Sequence, residues 1–479
     1  MNALTIGVIF LAYTALLFLV AFLTGKKADD EAYYRGNRRS PWFVVAYGMV
    51  GASLSGVTFM SVPGNVLREN FYYLPMVLGF IAGYIVVAKV LLPLYYRLNL
   101  TSIYGYLDVR FGMGAYKSGA ACFLLSRSLG ATLRMFLVVS VLHEFVFKAM
   151  GIPFWAAALI FMLLILGYTM RGGIRTIVWT DTLQTTFMLA AVFVSVFCIA
   201  RAMNWSFVQM IGAVKDSPFS AIMDFDPKSP RFFVKQFVSG LFVTVTMTGL
   251  DQDMMQKNLS CRNLKDAQKN MYTFSVILLI MNVLFLLLGA ILGLYAQQNG
   301  LVYGDTDQLF PSVAMRCLPP FAGLTFIIGV LSAAYSSADG ALTAITTSFT
   351  IDILGVERKQ IPAVRRKKIR YHVHLLMAFV FLGMIIAFDV FKNDSVINMV
   401  YDIASYTYGP LLGLFVAGIC TPWKPRDRFV PWVVLFSPVL SYFTATLTRV
   451  LWGYHFGFEL LLLNGLFTLT GLYLLRVRK

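Results

Sequence analysis

The sequence predicts an all-α membrane protein of about thirteen transmembrane helices, on three observations. Hydrophobic residues fill 58% of the 479 positions, charged residues only 13%, and mean hydropathy is +0.72, whereas a soluble chain is about half apolar and a quarter charged. Apolar runs of the ~20 residues that cross a bilayer recur along the whole length, and in lipid such runs must be helices, because no water satisfies their backbone polar groups. The basic residues, finally, concentrate in alternate connections between those runs.

The spans fall near 4–24, 42–64, 73–96, 118–147, 152–170, 177–200, 235–256, 272–296, 320–350, 372–391, 399–420, 430–449 and 456–475. The first is too long for a signal-peptide core and lacks a small-residue cleavage site, so it is expected to be retained. With the N-terminus outside and the C-terminus cytoplasmic, the inner connections hold most of the 40 Lys and Arg, the bias that sets orientation in a plasma (inner) membrane. The formal net charge of +17 is therefore topological, and no nucleic-acid partner is expected. The run Arg365-Arg366-Lys367-Lys368 reads as an anchor on anionic lipid of the bilayer. The five cysteines (Cys122, Cys198, Cys261, Cys317, Cys420) have neither metal nor disulfide spacing and read as small hydrophobes. No soluble domain is expected, and residues 1–479 read as a single membrane domain.

Polar groups inside spans are costly and mark candidate sites. The second span runs Tyr47-Gly48-Met49-Val50-Gly51-Ala52-Ser53-Leu54-Ser55-Gly56-Val57-Thr58. Its Gly and Ser favour an interrupted helix, whose freed carbonyls would suit a hard cation; the alternative is a small-residue packing face. In the ninth span Ala333, Ser336, Ser337 and Gly340 share one helix face by their spacing, beside Asp339, a carboxylate that must be paired, protonated or cation-bound. In the sixth, Asp181, Gln184 and Thr185 share a face, with Arg175 near enough in sequence to pair with Asp181. In the fourth, Arg127 is placed to snorkel, whereas Arg134 is central and needs an acid of the protein or of the cargo.

These features resemble the sodium/solute symporter family, in family order along nearly the whole chain. The pieces are Leu92-Pro93-Leu94-Tyr95-Tyr96-Arg97-Leu98 with Thr101 to Leu107 and Arg110-Phe111-Gly112, then Gly172-Gly173 with Thr180-Asp181 and Gln184. Asp251-Gln252 with Gln256-Lys257, Ser336-Ser337-Ala338-Asp339, and Tyr408-Gly409-Pro410-Leu411-Leu412-Gly413 complete the set. The resemblance implies a leucine-transporter-like fold of two inverted five-helix repeats, here 42–200 and 235–420, each opening with a broken helix. Residues 1–41 would be an extra helix and loop, and 430–479 two further helices.

The resemblance also implies a sodium site from the carbonyls of Gly51, Leu54 and Ala333 with the hydroxyls of Ser336 and Ser337. Neutral oxygens suit a releasable monovalent ion, not calcium. The sialic acid branch has a second sodium site made from the aspartate matching Asp181 and three serines; two of those positions are Asp339 and Gly340 here, leaving Asp181 and Asp339 as a possible second cation site. For cargo, that branch uses residues matching Ser55, Thr58 and Arg134, while its glutamine falls near Val77. The galactose branch places its glutamine at Thr58, and an asparagine and a tyrosine at Thr244 and Met247. Thr244, Thr246 and Thr248 still offer hydroxyls mid-span.

The expected function is sodium-driven import of a small polar solute, an anionic one suiting Arg134, with sodium as coupling ion and no cofactor. A membrane-embedded enzyme is the alternative, but there is no HExxH or nucleophile elbow, and His143, His372, His374 and His455 are scattered. A solute sensor is the other, and the chain closes at Arg478-Lys479 just after its last span.

Overall fold

The computed structural model describes residues 3–25, 29–301, 306–359, 361–390 and 396–477. Each long apolar run becomes a helix, and no strand forms among the described residues. The principal helices are α1 (Ala3–Gly25), α2 (Trp42–Ser53), α3 (Gly56–Glu69), α4 (Leu74–Arg97), α5 (Met113–Leu142), α6 (Phe154–Gly172), α7 (Ile174–Ala202) and α8 (Phe233–Gly249). They continue with α9 (Gln252–Leu259), α10 (Leu264–Gln298), α11 (Pro320–Ile353), α12 (Ala363–Val390), α13 (Val396–Cys420), α14 (Val430–Trp452) and α15 (Leu460–Leu474). Eight of these helices are long and apolar enough to cross a membrane.

Two spans are broken. Between α2 and α3 the axis bends by 55°, because Leu54 leaves the helical region (φ −80°, ψ 67°) and Ser55 is extended. Between α8 and α9 it bends by 65°. There Asp251 is extended and its carboxylate accepts the amides of Asp253 and Met254, capping α9. A π-turn, Val245–Gly249, loosens α8 just before that break.

Helix α11 forms the centre: α7, α5 and α2 pack against it, and nearly all of its residues from Phe326 to Ser348 are buried. Close approach of α2 to α7 needs Gly51, where a Cβ would lie 2.2 Å from Thr185 Oγ1. At the periphery α14 exposes Trp432, Leu435, Phe436, Val439, Tyr442 and Phe443. Such an apolar face belongs against acyl chains rather than water. All five cysteines are free thiols.

Candidate functional site

The first break and the middle of α11 meet across α2. Ending a helix at Ser53 leaves the carbonyls of its last turn, Gly51 among them, without amide partners in the helix. The Gly51 amide is itself held, donating to Thr185 Oγ1 at 3.0 Å. On α11, hydroxyls above and below the middle bond back along the helix: Ser332 to Ile328 O at 2.7 Å, Thr346 to Leu342 O at 2.7 Å and Thr347 to Thr343 O at 2.8 Å. Ser336 and Ser337 are buried and do not; among the described residues neither hydroxyl makes a well-aligned hydrogen bond, Ser336 lying beside the Asp181 carboxylate. Ala333 is buried one turn before them. Two oriented but unengaged hydroxyls inside a membrane protein are costly unless something else uses their oxygens.

Next to this face lies a buried charge cluster. Lys257 Nζ sits 2.8 Å from Asp181 Oδ2 and 3.4 Å from Asp253 Oδ1. Arg127 pairs with Asp253, and with Asp251 at 3.6 Å. Tyr408 Oη donates to Asp251 at 2.7 Å. Asp339 accepts from Tyr168 Oη at 2.9 Å, from Gln184 Nε2 at 3.4 Å and from the Gly340 amide at 2.6 Å. Asp181, Gln184 and Thr185 do share the inward face of α7. The partner of Asp181 is Lys257, however, not Arg175. Arg127 does not snorkel: it is buried, because two acids of the second broken span meet it inside the bundle.

A cavity opens where the two breaks face each other. Ser55, Thr58, Arg134, Thr244, Met247 and Thr248 all line it, alongside Arg127 and the aromatic side chains of Tyr73, Phe80 and Tyr84. The cargo residues expected from sequence are thus brought together by α3, α5 and α8. Val77 is buried and outside the lining, and Thr246 turns away, its hydroxyl donating to Phe242 O at 2.7 Å.

Residues 33–424 match the family described as the sodium:solute symporter family. The chain belongs to this family. Relatives include a human sodium/iodide cotransporter, 24% identical over 86% of this chain and 64% of its own length. A sodium/sialic acid symporter of Proteus mirabilis is 24% identical over 86% of this chain and 84% of its own, and a mouse sodium-coupled monocarboxylate transporter 23% identical over 84% and 66%. The chain thus spans about two-thirds of the two animal proteins. Among solved structures, a Na+-coupled sialic acid symporter in a substrate-bound outward-open state superposes with a TM-score of 0.83 at 21% identity, covering 98% of this chain and 97% of the other. A nucleobase-cation-symport-1 family transporter shares the fold more distantly, with a TM-score of 0.59 at 15% identity over 91% and 92%. The symporter is accordingly an integral membrane transporter, and the enzyme reading falls away.

Sequence reasoning missed the functional weight of α9. Asp251 and Lys257 served there only as marks of the resemblance and Asp253 not at all, yet all three are fully buried. The signal was present: three charges inside an apolar span, with Asp253 and Lys257 at i, i+4. It also missed Asp352, whose buried carboxylate accepts hydroxyls of Ser102 at 2.7 Å, Tyr116 at 2.9 Å and Ser348 at 2.5 Å. Those donors come from two distant segments of the chain as well as from the preceding turn of α11.

Proposed function

We propose that the symporter imports a small anionic solute down the sodium gradient by alternating access. The single observation that carries this is the meeting of two broken helices at one cavity, with a guanidinium in its wall and two unengaged hydroxyls behind it. Sodium takes the carbonyls of Gly51, Leu54 and Ala333 and the hydroxyls of Ser336 and Ser337. Ions at unwound helix ends near the midplane are the general transporter arrangement. Sodium there holds α2 against α11 and so shapes the cavity wall formed by Ser55 and Thr58. Arg134 receives the negative group of the cargo, and Thr244, Thr248 and Met247 line the opposite side. Iodide, sialic acid and monocarboxylates, named for three of the relatives, are all anions, which supports that charge.

The eight long helices, the two bent pairs and three shorter apolar helices support a thirteen-span reading in the plasma membrane, N-terminus outside. The breaks at 54–55 and 250–251 fit repeats 42–200 and 235–420, with 1–41 and 430–479 outside them. The test is ligand-induced thermal stabilisation of purified protein across monocarboxylates, halides, sugar acids and neutral sugars. The expected result is stabilisation by an anion in sodium and not in potassium. Stabilisation by neutral solutes alone would refute the anionic cargo, and equal stabilisation in potassium would refute sodium coupling.

A further inference from the structure

Sequence alone left Asp181 and Asp339 open as a second cation site beside the first. The structure puts a cation there that belongs to the chain. Lys257 reaches this position because the second broken span turns by 65° at Leu250 and Asp251, which swings α9 into the bundle. Its side chain is 1% exposed, and its ammonium lies between Asp181 at 2.8 Å and Asp253 at 3.4 Å. Asp253 can approach because position 340 is glycine: a Cβ there would stand 2.5 Å from Asp253 Oδ1. Asp339, the other expected ligand, is already met by three donors, from Tyr168, Gln184 and the Gly340 amide. A sodium ion at Asp181 would have to share that one carboxylate with the ammonium on Oδ2, and two like charges on one carboxylate repel strongly in a low-dielectric interior.

We propose that Lys257 is a tethered internal cation occupying the second cation position, so that the symporter binds one sodium ion rather than two. The inference rests on the sodium-symport reading above and adds its stoichiometry. It also gives the cluster a purpose. Asp181 and Asp253 held on Lys257, with Asp251 and Asp253 held on Arg127, fix α9 beside the Ser336–Ser337 face, which is built of neutral oxygens. Neutral ligands release the ion readily, and the lysine, being covalently held, does not leave.

The experiment counts sodium on the full chain by equilibrium binding of radioactive sodium to purified protein in nanodiscs, with choline as the balancing cation. Wild type should bind one sodium per chain. Lys257→Gln, which removes the charge and is one atom shorter, should bind two, because Asp181 then loses its cationic partner while Asp253 keeps only Arg127. Lys257→Arg should stay at one. Two sodium ions on the wild type would overturn the proposal while leaving sodium symport intact. No sodium on the wild type would overturn the symport reading, and the proposal with it. A folded Lys257→Gln protein that still binds one would also overturn it, and if that variant does not fold, the wild-type and Lys257→Arg counts decide.

Discussion

Replacing Ser336 or Ser337 by alanine separates the sodium assignment from ordinary packing, because the structure assigns opposite consequences to affinity and stability. Among the described residues neither hydroxyl makes a well-aligned hydrogen bond, Ser336 only lying beside Asp181, so its removal costs little internal bonding and relieves a poorly engaged buried polar atom. The melting temperature without sodium should therefore hold or rise slightly. An oxygen that ligates a cation contributes about as much as a hydrogen bond to a charged group, ~1.5–3 kcal/mol. At ~1.4 kcal/mol per tenfold, each variant should bind sodium roughly 10- to 150-fold more weakly. The measurement is a sodium titration of thermal stability at constant ionic strength, with choline replacing sodium. Ser332→Ala is the control. Its hydroxyl bonds to Ile328 O at 2.7 Å and lies 2.8 Å from Tyr13 Oη, so it should lower stability and leave the sodium midpoint in place. The reasoning is refuted if Ser336→Ala and Ser337→Ala keep the wild-type midpoint, or if the control moves it as far as they do.

Arg127→Gln strips Asp253 and Asp251 of a buried partner and should cost about 3–5 kcal/mol of stability, read by denaturant unfolding in detergent; an unchanged midpoint would show that the pairs contribute nothing. Gly340→Ala places a methyl 2.5 Å from Asp253 Oδ1 and should cost about 1–3 kcal/mol by overpacking. A variant as stable as wild type in the same unfolding assay would mean that Asp253 has room to retreat. Arg134→Ala should weaken binding of the negatively charged cargo more than tenfold, since truncating one partner of a charge pair costs about 2–5 kcal/mol, and should spare a neutral analogue. Equal losses for both, measured by competition, would make Arg134 scaffolding.

The spans were legible because hydropathy is a local property: the apolar runs became helical, two of them broken, although α10 and α12 begin well before the apolar runs do. The first break was legible as well, since Gly51, Ser53, Ser55 and Gly56 disfavour a continuous helix by their own chemistry. The second break was expected only through the resemblance, not from its own residues. It is made by Asp251 turning its carboxylate onto the amides of α9, a cap that looks like an isolated charge until the turn exists. For the same reason sequence offered Asp181 only its near neighbour Arg175 as an alternative to a bound cation, whereas the bend brings Lys257 from 76 positions away. The cargo residues came through the resemblance, and tertiary packing alone separates Thr246, which is buried away from the cavity, from Thr244 and Thr248.

The burial of α9 bears on how the chain enters the bilayer during synthesis. Gln252, Asp253, Gln256, Lys257 and Asn258 are all inaccessible in the finished bundle, yet a segment carrying them is a poor substrate for lateral release into lipid. Aspartate and lysine each cost about 2.5–3.5 kcal/mol at the centre of a lone inserting helix. Arg127 and Asp181 are made earlier on α5 and α7, whereas Tyr408 and the buried face of α11 are translated later. Nascent α9 must therefore wait at the membrane surface or beside the insertion machinery until those partners are in place. Its docking is a late step of assembly, and charge variants of the cluster should reveal themselves first as chains degraded before they mature.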